Sequence, residues 1–211
     1  MANTDELIEL LAKDAAPIKP ISHPYLIAYK WMMGAMAYIA LTSIYTGLRP
    51  NLLEKLRSPL FLAEIGLLTG IILTTLLSAA LLAFPDIYQK RKLAFAPVYV
   101  LILFVIELFF SLHFEAQPAA VCVHSVECLI AIGTIAVLPA AWMFYILRKF
   151  SSTHYYLVGS ISLLSAFNIG ALSHRLSEQT DSIVHLIQWH YLPMVGVVLL
   201  GSLLGKIMLR W

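Results

Sequence analysis

Charge is what this sequence has least of. Only 12% of its 211 residues are Asp, Glu, Lys or Arg, while 60% are hydrophobic, and the mean hydropathy is +0.83. A soluble domain of this size needs a charged surface, and there are too few charges to cover one. The net charge of +2 is too small to make nucleic acid a direct ligand. Gly-rich phosphate loops, HExxH, GxSxG and CxxC are all missing, so no signature of enzyme chemistry is present. Two cysteines, Cys122 and Cys128, allow at most one disulfide. A cleavable leader is not evident, because the first apolar run starts late and has no small-residue exit.

What the sequence has is long apolar runs. Crossing hydrocarbon takes about 20 mostly apolar residues in a helix, and six runs qualify, at roughly 25–46, 59–84, 93–114, 127–147, 155–173 and 186–206. Backbone groups in lipid must pair within their own segment, so these are helices; the runs are too long and too continuously apolar for a barrel. The expected fold is an all-α, polytopic six-transmembrane-helix bundle with a short cytoplasmic N-terminal amphipathic helix. That divides the chain into a segment 1–24 and a membrane domain 25–211. With the N-terminus inside, ten of the 14 Lys and Arg fall on the inner side and four on the outer. The bias places both termini in the cytoplasm. The first outer loop, GLRPNLLEKLRSP, runs against it with three basic residues.

Two glycine pairs, Gly66/Gly70 and Gly201/Gly205, leave flat strips where another helix can come close. Packing inside one bundle is the first reading, and homodimerisation the second. Glu64, Glu107, His113, Asn168 and His190 all fall in the outer half of the spans. Ionisable groups there are costly; they either fix helix register or line a pocket open to the outside.

The outer loops add AQPAAVCVHSVEC, with Cys122, His124 and Cys128, and SHRLSEQTDSIVHLIQWH, with His174, Glu178, Asp181, His185 and His190. Thiolate and imidazole are ligands that borderline and soft metals prefer, and Cys128, His185 and His190 are the candidate metal set. Inert packing, metal or thiol sensing, and a Cys122–Cys128 disulfide all stay open, with Cys122, Cys128, His124, His174, His185 and His190 as the candidate sensing residues.

At the N-terminus, TDELIELLAKD reads as a short helix capped by Thr4, with Asp5 and Glu6 in its first turn. Leu7, Ile8, Leu10 and Leu11 form one stripe, and Pro17, Pro20 and Pro24 separate the helix from the first span. So short a helix is unstable alone in water. Its polar side is acidic, which disfavours anionic lipid. A basic protein groove suits it better, with its own bundle as the remaining alternative.

Taken together, the chain resembles the NrsF-type membrane anti-sigma factors. The similarity is carried by Thr4-Asp5-Glu6-Leu7-Ile8 with Leu11-Ala12, by Trp31, and by Gly47-Leu48-Arg49-Pro50. It continues with His185, Trp189-His190 and Pro193, then Gly201, Gly205 and Leu209-Arg210-Trp211. The resemblance implies a non-enzymatic regulator of six spans whose cytoplasmic N-terminal segment, here Thr4, Asp5, Leu7, Ile8, Leu10 and Leu11, contacts an extracytoplasmic-function sigma factor. It also implies two sensing cysteines on the periplasmic side. Cys128 matches the first; Glu178 stands approximately where the second would be. The expected mechanism is release of the sigma factor when a metal ion, oxidant or other ligand engages Cys128, His185 and His190. A membrane redox or haem protein using His113 and His190, and a small transporter, are the competing readings.

Overall fold

The computed structural model describes residues 4–13, 22–84, 91–114, 125–150 and 152–210, and every regular element among them is helical. Helix α1 is Thr4–Lys13, α2 Pro24–Thr46, α3 Leu52–Lys55, α4 Pro59–Leu82 and α5 Arg91–Ala94. Then come α6 Ala96–Phe114, α7 Ser125–Leu147, α8 Tyr155–Ser177, the single turn α9 Ile183–His185 and α10 Pro193–Met208. A π-helical stretch, Leu186–Tyr191, joins α9 to α10. Thr4 is the first helical residue of α1 rather than the residue before it. Pro24 opens α2, where its missing N–H costs nothing, and the His23 ring accepts from the Tyr25 N–H as cap.

Five stretches are long and apolar enough to cross a membrane, against the six expected: Pro59–Leu82, Lys92–Phe114, Val126–Leu147, Tyr155–Ser177 and Ile183–Met208. The expected first span is the exception. At 23 residues α2 has the length, but Tyr25, Tyr29, Lys30, Tyr38, Thr42 and Ser43 dilute its apolar character. It is nonetheless built into the bundle. Ala28, Trp31 and Ala35 are buried, and Tyr38 donates to the Ile135 carbonyl of α7 at 2.8 Å. Trp31 is a core residue.

Helix α8 is the hub, touching α2, α4, α7 and α10. Its small residues allow this, because without a hydrophobic push between helices in lipid, close backbone approach must supply the packing. A Cβ on Gly159 would collide with the Gly201 carbonyl oxygen, and one on Gly201 would lie 2.6 Å from the Gly159 oxygen. The Gly201/Gly205 strip is therefore occupied by α8 of the same chain and is not open to a second copy. Gly70 meets Val100 of α6 at 3.3 Å, whereas Gly66 faces open space.

The helices alternate in direction, so the bundle has two ends. The near end holds the start of α2, the end of α4 and the end of α10. At the far end lie the α2–α4 connection, the start of α7 and the α8–α9 loop. All ion pairs found among the described residues lie at the far end. Helix α1 makes no comparable burial: Leu7, Ile8, Leu10 and Leu11 are each more than half exposed.

Candidate functional site

Two polar networks fill the far end, and both begin with α8. The first is an ion-pair lattice. Gly47, at φ 80°, takes a backbone conformation that glycine adopts without cost and turns the chain after α2. Arg49 then points inward, its backbone N–H bonded to the Leu176 carbonyl at 3.0 Å. Its guanidinium forks onto Asp181, with both N–O distances 3.0 Å, while Nε donates to Asn51 at 2.8 Å. Lys55 reaches Asp181 from the other side at 2.9 Å. Arg175 makes the matching fork on Glu64 of α4, at 2.9 and 3.1 Å, and donates to the Thr180 carbonyl. Tyr191 completes it by donating to Glu64. Phe61 lies beneath both guanidinium groups, 5.5 Å from Arg49 and 4.8 Å from Arg175, within cation–π range.

Burial alone would raise the Asp181 pKa, but the hydrogen bonds from Arg49 and Lys55 and the charge of Arg175 outweigh it and hold it at about 2. Two of the three basic residues in the α2–α4 connection, Arg49 and Lys55, thus share the Asp181 carboxylate.

The second network is centred on Glu178, the first residue after α8. Its carboxylate accepts from the Cys128 thiol at 3.4 Å. His190 Nε2 lies 3.1 Å from it, His174 Nε2 3.3 Å and His185 Nε2 3.7 Å. Burial raises the Glu178 pKa, yet the imidazoles of His174 and His190 more than offset this and hold it well below the usual carboxylate range. One ligand-type atom from each of Cys128, Glu178, His185 and His190 falls within a common 4.8 Å.

The π-helical stretch brings His190 there. Pro193 cannot donate a backbone hydrogen bond, and its ring crowds the preceding turn. The widened turn accommodates this, with the Leu192 N–H bonding back five residues to Ile187. Such local widenings recur at functional sites.

The structure thus joins Cys128, His174, His185 and His190, all four named from the sequence as sensing residues. Cys122 and His124 lie outside the described residues. His113 is exposed beside Phe114, while His190 is fully buried, so the pair proposed for haem does not share an interior site. Sequence reasoning noted Glu178 without making it the hub, and it did not pair Arg49 with Asp181 or Arg175 with Glu64. The one available signal was the basic connection between α2 and α4, whose charge called for carboxylate partners. Glu107 is also buried here and accepts from Ser111 at 2.8 Å.

The NrsF family model, described as negative regulator of sigma F, matches residues 11–211, and the chain belongs to that family. No curated protein and no solved structure matches it. Of the residues assigned to partner contact, Thr4, Asp5, Leu7, Ile8 and Leu10 precede the matched region and Leu11 begins it.

Proposed function

We propose that this NrsF-family chain is a membrane-embedded anti-sigma factor that holds an extracytoplasmic-function sigma factor through α1 and releases it when the far-end cluster is engaged. Family membership supplies the coarse statement, a negative regulator with a sigma factor as partner. The observation that carries the finer one is α1 itself. Four apolar side chains, Leu7, Ile8, Leu10 and Leu11, stand exposed on a ten-residue helix whose other side bears Glu6 and Glu9. A helix of that length gains its stability from a partner. A leucine face flanked by acid fits an apolar groove with a basic rim, and sigma factors, which bind DNA, carry such basic surface.

In this reading α2 is the sixth span, less apolar because α4, α7 and α8 cover part of it. Six crossings put both termini in the cytoplasm of an inner-membrane protein, α1 near the sigma factor and the Glu178 cluster facing the periplasm. Signal transfer requires that whatever binds the cluster prefers the arrangement with low affinity for the sigma factor. The coupling equals that preference, typically about 1–3 kcal/mol.

Co-purification of the sigma factor with the full chain tests the docking site. Leu7→Asp with Leu11→Asp is expected to abolish recovery while leaving membrane insertion intact. Equal recovery with wild type and variant would overturn it.

A further inference from the structure

We infer that Cys128, Glu178, His185 and His190 form a four-coordinate site for a single divalent ion of the Zn2+ class. The inference names the ligand of the sensing cluster proposed above, but the site itself stands without the sigma factor.

The donor set comes first. One thiolate, one carboxylate and two imidazoles are the groups from which tetrahedral zinc sites are made. Mg2+ and Ca2+ need six or more oxygens, and only one carboxylate is offered. Cu+ favours thiolate and thioether, and a carboxylate is a poor fourth ligand for it. Tetrahedral Zn–S, Zn–N and Zn–O bonds give ligand separations of roughly 3.3–3.8 Å. The four donor atoms already lie within 4.8 Å of one another. Closing the shell takes a contraction of about 1 Å, within reach of side-chain rotation.

The second observation is independent of the donor types. His190 has no exposed surface, and neither of its ring nitrogens has a hydrogen-bond partner. His185 Nε2 and Glu178 Oε2 are likewise buried without one. His190 Nε2 is only 3.1 Å from Glu178, yet the pair is not aligned as a hydrogen bond. Buried polar atoms left unsatisfied cost about 1–3 kcal/mol each. Several gathered in one buried cluster is unusual in a packed interior, and one ion shared by Cys128, Glu178, His185 and His190 would satisfy the donors that face it.

Charge completes the case. A divalent ion with one thiolate, one carboxylate and two neutral imidazoles sums to zero, the only total a buried site tolerates cheaply. Binding replaces the Cys128 thiol proton with the metal, so one proton leaves to solvent for each ion bound. His174, 3.3 Å from Glu178, is left outside the shell, where its imidazole orients the ligating carboxylate.

The test is titration of the purified full-length protein in detergent with Co2+, followed by displacement with Zn2+. Wild type is expected to bind one equivalent, with intense tetrahedral d–d bands and a thiolate charge-transfer band, both lost on adding Zn2+. Cys128→Ser should lose the charge-transfer band, and His190→Ala and Glu178→Gln should lose the tetrahedral bands. His174→Ala should keep both with affinity roughly tenfold lower. Weak, octahedral Co2+ spectra in wild type, or a charge-transfer band surviving in Cys128→Ser, would overturn the site. Co-purification of the sigma factor by the same preparation is the separate readout for α1. Its loss would overturn the docking proposal without touching the metal site.

Discussion

His190 and Tyr191 are neighbours in the chain, both buried, and each belongs to a different network. His190 turns to Glu178 and the thiol side of the far end, while Tyr191 donates to Glu64, the carboxylate clasped by Arg175. The π-helical turn Leu186–Tyr191 is wide enough to present consecutive residues inward. Tyr191 also packs edge-on against Phe104 of α6 at 4.9 Å. Any shift of His190 therefore moves a residue that touches both α4 and α6.

Tyr191→Phe tests this link, because it keeps the ring and removes only the donor to Glu64. Co2+ affinity is expected to stay within about twofold, since the four ligands are untouched. Metal-induced release of the sigma factor should fall sharply. A variant that binds metal and releases normally would show that the signal leaves the site by another route.

The Arg175–Glu64 pair is almost fully buried, with side chains 4% and 7% exposed. Removing one partner of such a pair strands a charge and typically costs about 3–5 kcal/mol. Replacing both with apolar groups avoids that penalty. Arg175→Met is accordingly expected to lower the unfolding midpoint in detergent steeply, and Arg175→Met with Glu64→Leu to recover much of the loss. Equal damage from the single and double variants would mean that Tyr191 and Thr180, not the charge pair, set the local stability.

Acid should loosen the α2–α4 connection. The folded-state pKa of Asp181 is depressed from 3.8 to about 2, so its contribution is full above pH 3.8 and disappears as pH falls through about 2. The shift corresponds to roughly 2 kcal/mol, and solvent screening of a side chain 29% exposed reduces this to about 1 kcal/mol. Thermal unfolding in detergent is expected to show this acid loss in wild type and to lack it in Asp181→Asn. An unchanged acid limb in the variant would assign the loss to other carboxylates.

The sequence resolved the elements better than the connections. Span limits from apolar runs came within a few residues for α2, α4, α6, α7 and α8, because hydropathy reports length directly; the sixth run begins seven residues ahead of α10, across the π-helical stretch. The bland reading of Gly201 and Gly205 also held, since glycine spacing reports close approach. The six-span count is where length and hydropathy part: α2 has the length, but its tyrosines, Lys30, Thr42 and Ser43 dilute its hydropathy. Cys128, His185 and His190 were legible as a set through their ligand chemistry. Glu178 as hub was not, nor were the Arg49–Asp181 and Arg175–Glu64 forks. Their partners lie more than a hundred residues apart, and a direction of approach leaves no trace in spacing.

Glycine substitutions separate packing inside the chain from packing between chains. Gly159 faces the Gly201 oxygen and the Gly205 Cα in α10, both backbone atoms that cannot rotate away. Gly159→Ala must therefore push α8 and α10 apart, at an overpacking cost of about 1–3 kcal/mol. Because α8 also carries Arg175 and leads into Glu178, the displacement reaches both far-end networks. Gly66→Ala adds its methyl to open space and is expected to leave monomer stability unchanged. Unfolding midpoints should drop for Gly159→Ala alone. If Gly66→Ala instead shifted the mass of the detergent-solubilised protein from dimer to monomer, that face of α4 would be an interface between copies. If Gly159→Ala were neutral, the close α8–α10 approach would not be what holds the far end together.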